Sequence, residues 1–448
     1  MKRIIFLLCM VLLLATGTSF SQEEKEESQQ QETIKTGWTF GALPTITFDS
    51  DLGFQYGALV NLYNYGDGSR YPQFDHSLYF EVSRFTKGSG INRFFFDSDK
   101  LIKGLRTTVD VSFITDKALD FYGFNGYESK YNSAWEDDEG DDYETRVFYK
   151  HERKMFRFKS DLQGNLSGEK VLWLAGFTYY NFDVGPVDIN NLNEGKDDED
   201  KLPDVDGLYD RYVTWGIITD KEKNGGSLTY LKFGIAFDTR DNEPNPMSGV
   251  WTEAVLQTAP SFLGNNDWPH TKISITHRQY FTLIKNDLSF AYRVGYQGTI
   301  SGDPPFFAQP LMITSILRGA SSQGLGGSKS LRGILRNRIV GDGFVYGNLE
   351  LRWKFLRDKF LNQNIYLALN TFVDGGKVIS PIEFDTSLVP SEEYDDYFNQ
   401  EKDGLHLCYG AGLRIAMNQN FIVACDFGKT TNAEDGNTGL YIGLNYLF

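Results

Sequence analysis

The sequence has no apolar run long enough to cross a membrane as a helix. Its one continuously apolar stretch, Ile4 to Leu14, falls short of the roughly 20 residues that a membrane-spanning helix needs, and the mean hydropathy is −0.37. That stretch follows Lys2 and Arg3 and precedes small residues, which is the pattern of a secretory signal peptide. We therefore expect residues 1–21 to be a signal peptide, which implies export from the cytoplasm.

Cysteine and histidine are also scarce, and basic residues are fewer than acidic ones. We predict Cys408 and Cys425 on opposite faces of neighbouring strands, which disfavours a disulfide between them. The five histidines show no metal-ligand spacing and no cofactor motif is present, so we expect neither a metal site nor a cofactor. The 44 basic and 60 acidic residues give a formal net charge of −16, which argues against nucleic acid as a partner.

The sequence is instead rich in segments that alternate apolar and polar residues. From Val345 to Phe355, apolar residues such as Trp353 take every second position, and Glu350 and Arg352 lie between them. This period of two is typical of a strand with one face toward lipid and the other toward a polar interior. The aromatic content of 15% and the 45 glycines suit such strands.

Counting these segments predicts an all-β fold, a transmembrane antiparallel β-barrel of about 16 strands. The count is even, as a barrel with both ends of the chain on one side of the membrane requires. The predicted strands are 38–48, 53–64, 72–85, 90–99, 103–115, 145–164, 170–184, 227–238, 249–260, 270–281, 287–300, 344–356, 364–375, 405–417, 420–429 and 438–448.

The predicted connections alternate between short and long. Outer-membrane barrels show this asymmetry, with short periplasmic turns and long external loops. A soluble β-sandwich or propeller has the same period of two, but the predicted signal peptide and the loop lengths favour the membrane barrel. The short connections include 166–169, 282–286 and 417–420, and the long ones are 116–144, 185–226 and 301–343.

We divide the exported chain into two parts. Residues 22–36 are predicted as a short periplasmic linker, and residues 37–448 as a barrel in the bacterial outer membrane, in contact with its lipids. Aromatic residues on the apolar faces are expected to form a girdle at the periplasmic ends of the strands. Its predicted members are Trp38, Trp353, Phe355, Tyr446 and Phe448.

The last predicted strand carries aromatic residues two apart and ends on phenylalanine. Gly443, Tyr446 and Phe448 are typical of the C-terminal assembly signal that the barrel-insertion machinery reads by strand pairing. The alternative is an amphipathic last strand with no such role.

One predicted turn, between the strands 227–238 and 249–260, is rich in Asp and Asn residues. Its Asp and Asn side chains can accept hydrogen bonds from the turn backbone, while Pro246 and Gly249 favour the chain reversal. Arg240 can bridge these Asp and Asn side chains. The motif consists of Asp238, Thr239, Arg240, Asp241 and Asn242, followed by Pro246 and Gly249.

Together with a second motif, this turn resembles the BamA/TamA superfamily, whose barrel domain is also called the bacterial surface antigen domain. The second motif runs from Leu331 to Ile334 in the loop 301–343, with Ile334 where the family usually has an aromatic residue. Strand motifs around Glu350 and Asp374 also match, and both acids fall on lumen-facing positions. The resemblance is strongest over residues 228–448.

The resemblance implies that the loop 301–343 folds back into the lumen. There Arg332, with Gly333 beside it, would pair with Glu350 and Asp374 in a charge-assisted lock. The alternative is a solvent-exposed Arg332 and two lumenal acids that merely face water.

The resemblance also implies a role in outer-membrane biogenesis, in protein insertion or translocation, without enzymatic turnover. Family members usually carry POTRA domains before the barrel, but residues 22–36 are too short for one. We therefore expect a POTRA-less member in which the substrate handling of those domains either comes from other outer-membrane or periplasmic proteins or is absent. The family's proposed opening lies between the first and last strands, where Pro44 on the lipid face indicates a weakly paired edge. A β-bulge at Pro44 is the alternative.

Two other functions stay open at this point. A porin-like channel would use lumenal charges for selectivity, and a structural or accessory subunit would dock a partner through acidic loops. The acidic runs 136–142 and 197–200 are either solvated loop charge or Ca²⁺ ligands. No G-x-S-x-G nucleophile motif is present, so nothing indicates catalysis.

Overall fold

A computed structural model describes residues 33–49, 53–315 and 324–448. The predicted signal peptide and most of the predicted linker lie outside these residues. Ile34–Phe448 form one structural unit, and its described part contains sixteen strands. The strands are β1 (Trp38–Asp49), β2 (Gly53–Asn64), β3 (His76–Phe85), β4 (Gly90–Ile102), β5 (Leu105–Asp120), β6 (Lys150–Ser167), β7 (Val171–Gly185), β8 (Gly225–Asp238), β9 (Gly249–Ala259), β10 (His270–Ile284), β11 (Leu288–Ser301), β12 (Gly343–Phe360), β13 (Gln363–Ser380), β14 (His406–Met417), β15 (Phe421–Thr430) and β16 (Thr438–Leu444).

All sixteen strands join one sheet in chain order, and each is hydrogen-bonded antiparallel to the next. Side-chain hydrogen bonds between the first and the last strands show that the sheet curls back on itself. The Tyr63 hydroxyl of β2, for example, donates to the backbone carbonyl of Asn420, just before β15, at 3.0 Å. The predicted fold class, a β-barrel of 16 antiparallel strands, is confirmed.

Short helices lie in the long connections of the described chain. No helix among the described residues is long and apolar enough to cross a membrane. The α-helices are α1 (Ile189–Asn193), α2 (Leu208–Thr214) and α3 (Tyr394–Tyr397), and the 3₁₀ turns are Gly126–Glu128, Ser133–Glu136, Asp198–Asp200, Ser261–Leu263, Phe306–Ala308 and Ala433–Asp435.

β12 shows why the alternating sequence forms this barrel. Leu351 and Trp353 are 41% and 49% exposed on the outer face, whereas Glu350 and Arg352 are each 1% exposed on the inner face. Successive side chains of a strand point to opposite sides, so the alternation places an apolar face against lipid and charge in an enclosed interior. The predicted orientation of this strand is confirmed.

An arginine on this lipid face is expected to destabilise the barrel. Leu351→Arg would place a charge in the apolar band, at a cost of about 2–4 kcal/mol near the bilayer midplane. Leu361→Arg is the matched control, because Leu361 lies at the tip of the β12–β13 hairpin and is 79% exposed; there we expect about 0–1 kcal/mol. Denaturant unfolding in phospholipid vesicles measures both, and equal losses would contradict the lipid-facing orientation of β12.

The antiparallel order defines two ends of the barrel. We call the end with the β2–β3, β4–β5 and later even–odd connections the turn end, and the opposite end the loop end. At the loop end the long connections pack on one another through a buried aromatic cluster. Its members include Phe121, Tyr122, Phe148, Tyr149, Tyr209, Tyr212, Trp215, Phe306 and Phe398.

The end of the chain departs from the prediction. β16 stops at Leu444, because Asn445 takes the left-handed backbone conformation with φ 70°, which asparagine tolerates better than most residues. Tyr446 and Phe448 are therefore buried inside, and the prediction that they continue the strand in a lipid-facing girdle is wrong. The other predicted girdle residues are exposed at the turn end: Trp38, Trp353 and Phe355.

Candidate functional site

Arg332 lies at the centre of an ionic cluster inside the barrel. Its Nε and Nη2 donate to the two carboxylate oxygens of Asp374 at 2.8 and 2.9 Å, and its backbone N–H donates to the same carboxylate at 3.1 Å. Its Nη1 lies 2.6 Å from the Glu350 carboxylate, and all three side chains are fully enclosed. An arginine fork held by two carboxylates has a fixed geometry, because the guanidinium presents its donors rigidly.

The loop tip around Arg332 makes further contacts with the barrel wall. The guanidinium carbon lies 3.6 Å from the centre of the Phe372 ring on β13, a cation–π contact. The Gly333 N–H donates to the Tyr441 hydroxyl on β16 at 3.0 Å. The structure thus brings four of the predicted site residues together: Arg332, Gly333, Glu350 and Asp374.

Two more arginines extend the cluster. Arg352 Nη2 lies 2.7 Å from Glu350, and Arg414 donates to both oxygens of Asp426 at 2.8 and 2.9 Å. Arg332 Nη1 lies 3.9 Å from Asp426, so three arginines face three carboxylates, a balance that buried charges require. The Arg414–Asp426 pair was not predicted from the sequence. Alternation alone does not give the register between strands.

The buried end of the chain also lies on this cluster. Arg352 Nη2 donates to the Phe448 carbonyl oxygen at 2.8 Å. Its guanidinium carbon lies 4.5 Å from the Tyr446 ring centre and 4.9 Å from that of Phe448. These contacts explain why both rings leave the lipid face, since inside the barrel they stack on a charge. Of the predicted assembly signal, Gly443 alone stays on β16.

The predicted turn motif forms the β8–β9 connection at the turn end. Arg240 donates from Nε and Nη2 to the Asp238 carboxylate at 2.9 and 3.0 Å, and its guanidinium lies 4.4 Å from the Trp251 ring centre. The Asp241 carboxylate accepts the backbone N–H of Met247 at 3.0 Å. Arg240 therefore pairs with Asp238 and not with Asp241, whose carboxylate accepts from the turn backbone.

This turn reaches residues far from β8 and β9, which explains its many specified positions. The Asn242 amide donates to the Gln419 side chain in the β14–β15 turn at 3.2 Å. The Asn245 amide donates to the Tyr366 hydroxyl on β13 at 2.9 Å. Pro246 is buried at the same place. The turn motif thus braces the turn end of the barrel from one wall to the other.

Gly249 gives a direct test of this turn. Its φ is +99°, and a Cβ there would lie 2.2 Å from the Thr239 carbonyl oxygen. Gly249→Ala is expected to destabilise the barrel by clash and by strain. Gly264→Ala is the control, since its φ is +91° with nothing within 4 Å of a new Cβ, so only backbone strain of about 1 kcal/mol is expected. The difference between the unfolding midpoints of the two variants measures the destabilisation that the clash adds to backbone strain. Equal midpoints would contradict the close approach of Thr239 to Gly249.

Arg338 was not predicted and holds the loop end together. It is fully buried, and its guanidinium donates to the backbone carbonyls of Glu434, Gly126 and Ser129 at 2.7, 2.7 and 3.0 Å. It thereby joins the β11–β12 connection to the β5–β6 and β15–β16 connections. The sequence does not indicate that a basic residue in one loop will donate to three backbone carbonyls in other loops.

Tyr127 adds a second link between the same loops. Its hydroxyl donates to the Asp435 carboxylate at 2.6 Å. Burial, and then the hydrogen bond to Asp435, raise the pKa of the Tyr127 phenol above its usual value, so the phenol stays a protonated donor at all physiological pH values.

The seam between the first and last strands has no backbone ladder. Within residues 33–49, 53–315 and 324–448, β1 pairs with β2 and β16 pairs with β15, and neither pairs with the other. Pro44 lies on β1 opposite Ala58 of β2, with its side chain exposed on the outer face. The described strands show no shift of the β1–β2 register at this position, so the bulge alternative is wrong.

Comparison with known proteins gives a family match. The model of the Omp85 superfamily domain matches residues 76–448. The comparison with curated proteins finds no match.

Similar solved structures include BamA and CdiB proteins. BamA from Haemophilus ducreyi lacking POTRA domains 1–3 is 13% identical with a TM-score of 0.47, and the match covers 91% of this chain and 69% of that one. CdiB from Escherichia coli is 11% identical with a TM-score of 0.48, covering 91% and 61%. CdiB from Acinetobacter baumannii is 13% identical with a TM-score of 0.44, covering 92% and 60%. The chain thus spans about three fifths of the length of the two CdiB chains.

The family model matches the sheet from β3 onward, including the ionic cluster, the turn motif and β16. This chain belongs to the Omp85 superfamily and is an outer-membrane β-barrel.

Proposed function

We propose that this protein takes part in outer-membrane biogenesis by inserting or translocating other proteins, without enzymatic turnover. The observation that carries the proposal is the edge of β1 at the seam. A strand edge with free N–H and C=O groups is a template for another strand. A client strand that pairs with β1 gains the backbone hydrogen bonds that β16 does not make.

The lengths of the two seam strands support this reading. β1 has 12 residues and β16 has 7, so part of β1 would stay without a partner even if the two strands paired fully. Pro44 has no N–H to donate, which weakens any ladder on β1. Both features favour an edge that exchanges partners over one that is permanently closed.

We assign the ionic cluster a structural role in this function. Arg332, with Gly333 beside it, ties the loop tip to Glu350 on β12 and Asp374 on β13. Buried pairs of this kind fix geometry more than they add stability. In our proposal this lock keeps strands β12 to β15 rigid, so that β1 and β2 are the strands that move at the seam.

The other predicted site residues serve the barrel itself. The turn motif, from Asp238 to Gly249, braces the turn end. Gly443, Tyr446 and Phe448 keep their predicted role as a signal for the chain's own insertion. That role is compatible with the burial of Tyr446 and Phe448 in the folded barrel, because an assembly signal is read before folding is complete.

A porin-like channel is less well supported, because the loop fills the interior next to the cluster. Leu325, Leu331, Ile334 and Ile339 of this loop are all buried in one apolar group with residues of the wall. We expect the membrane lipids and other outer-membrane or periplasmic proteins as partners, with the turn end facing the periplasm.

Photo-crosslinking tests the proposal. A photoreactive phenylalanine at Phe40, which is 67% exposed on β1, is expected to form adducts with newly made outer-membrane proteins in cells. Val373 on β13 is the matched control, since it is 47% exposed on the same outer face but away from the seam. Equal labelling at both positions, or none at Phe40, would contradict a client site at β1.

Affinity purification from native membranes identifies the partners independently. We expect co-purifying periplasmic or outer-membrane proteins and a fall in other outer-membrane barrels when the protein is depleted. A stoichiometric complex without any effect on other barrels would instead support an accessory subunit.

A further inference from the structure

The inner side of the seam at the turn end is closed by side chains. The ring of Phe421, the first residue of β15, lies on the backbone of Gly41 in β1: a Cβ at position 41 would lie 2.3 Å from Phe421 Cγ. Gly41 thus leaves room for this ring, and a larger residue there would push β15 away. Phe421 is buried in one apolar cluster with Leu59, Tyr63 and Tyr65.

Hydrogen bonds join the same two sides of the seam. The Tyr63 hydroxyl donates to the Asn420 carbonyl oxygen at 3.0 Å. The Asn420 amide donates to the Tyr65 hydroxyl at 2.9 Å and to the Pro72 carbonyl oxygen at 2.6 Å. We call Gly41, Tyr63, Tyr65, Asn420 and Phe421 the seam clasp. It joins β1, β2 and the β2–β3 turn to β15 where backbone pairing is missing.

The clasp lies where β16 no longer separates β1 from β15. The β15–β16 ladder ends at the pair Val423 and Leu444, and Asn445 then turns inward, donating its N–H to the Ile422 carbonyl oxygen at 2.7 Å. Beyond this point the Phe421 ring lies beside β1, on the inner side of Gly41.

We propose that Phe421 is a gate residue that controls access of a client strand to the turn-end half of β1. The inference rests on the proposed function of the β1 edge. A strand that enters between β1 and β15 must lift the Phe421 ring from Gly41 and break the hydrogen bonds of Asn420. Because the clasp closes this gap from the inside, its release precedes pairing along the first residues of β1.

A disulfide across the clasp tests its geometry without reference to function. Phe421 Cβ is one bond of about 1.5 Å from Cγ, so cysteines at 41 and 421 would bring their Cβ atoms within about 4 Å, as in natural disulfides. The double variant Gly41→Cys, Phe421→Cys, with Cys408 and Cys425 replaced by alanine, is expected to crosslink on oxidation. Gly41→Cys with Phe427→Cys is the control and should not, because Phe427 is exposed on the outer face. Failure of the first pair to crosslink would overturn the clasp, and this result does not depend on the proposed function.

The same variant with the photoreactive residue at Phe40 tests the gate. Oxidation is expected to lower client adducts severalfold, and a reductant should restore them. Adducts that are unchanged by the disulfide would overturn the gate while leaving the proposed function intact. Absence of adducts in the reduced protein would overturn the proposed function and, with it, the gate.

A smaller side chain gives the opposite expectation. Phe421→Ala should raise client adducts at Phe40 severalfold, because the gap beside β1 is then open. Phe427→Ala, on the same strand but outside the clasp, should leave them unchanged. Equal effects of the two variants would count against a specific role of Phe421, even if both barrels fold normally.

Discussion

Replacement of Arg332 by glutamine is expected to destabilise the barrel by about 3–5 kcal/mol, the usual cost of removing one partner from a buried ion pair. The variant leaves Asp374 as a carboxylate without a counter-charge, and Glu350 with Arg352 as its one remaining arginine, in a site where neither acidic side chain is exposed. It also removes the cation–π contact with Phe372. Arg332→Glu adds a fourth carboxylate to the cluster and should be worse. The folded fraction by heat-modifiable mobility and the guanidinium midpoint in vesicles measure the effect.

An exposed ion pair provides the matched control. Arg357 lies 2.6 Å from Asp287 at the turn end, with side chains 40% and 44% exposed. Solvent-exposed pairs contribute at most about 1 kcal/mol, so Arg357→Gln should leave both measurements nearly unchanged. If Arg332→Gln behaved like Arg357→Gln, the cluster would not hold the loop in the lumen.

Arg338→Gln is expected to release the loop end of the barrel. The backbone carbonyls of Glu434 and Ser129 would lose the Arg338 donor inside the packed loops, and that of Gly126 would keep only the Ser129 N–H. Each buried acceptor left without a partner costs about 1–3 kcal/mol, and every 1.4 kcal/mol is about tenfold in an equilibrium. We therefore expect protease cleavage in the β5–β6 connection to rise at least about tenfold in intact cells, while the strands stay folded.

The control for this variant is an exposed lysine in a neighbouring loop. Lys201 pairs with Asp198 at 2.6 Å, with side chains 45% and 97% exposed, so Lys201→Gln should not change cleavage. A cleavage rate for Arg338→Gln equal to that of the parent would show that the loops hold together without this residue.

The strands of this protein could be predicted from its sequence because their determinants are local. The alternation that places Trp353 outside and Glu350 inside is visible within one segment, and the turn residues mark where segments end. Sixteen strands in chain order followed from this pattern alone, and the structure has the same sixteen. The ionic cluster was located only through the resemblance of its motifs, since alternation puts Arg332 in no particular place.

The features that the sequence did not predict depend on contacts between distant residues. Period two continues through Tyr446 and Phe448, but those rings turn inward to Arg352, 96 residues away for Phe448. Likewise, nothing near Gly41 indicates that the Phe421 ring will lie on it. The register between strands and the inward packing of side chains depend on tertiary contacts, so they are difficult to predict from one sequence.

In the described residues, β1 is hydrogen-bonded to a neighbouring strand on one side only, that of β2. Nuclear magnetic resonance of the isotope-labelled barrel in lipid nanodiscs measures this directly through contacts between backbone protons of adjacent strands. We predict contacts between β1 and β2 in the register that pairs Trp38 with Asn64 and Asp49 with Gly53, and none between β1 and β16. A continuous series of contacts between β1 and β16 would contradict the account.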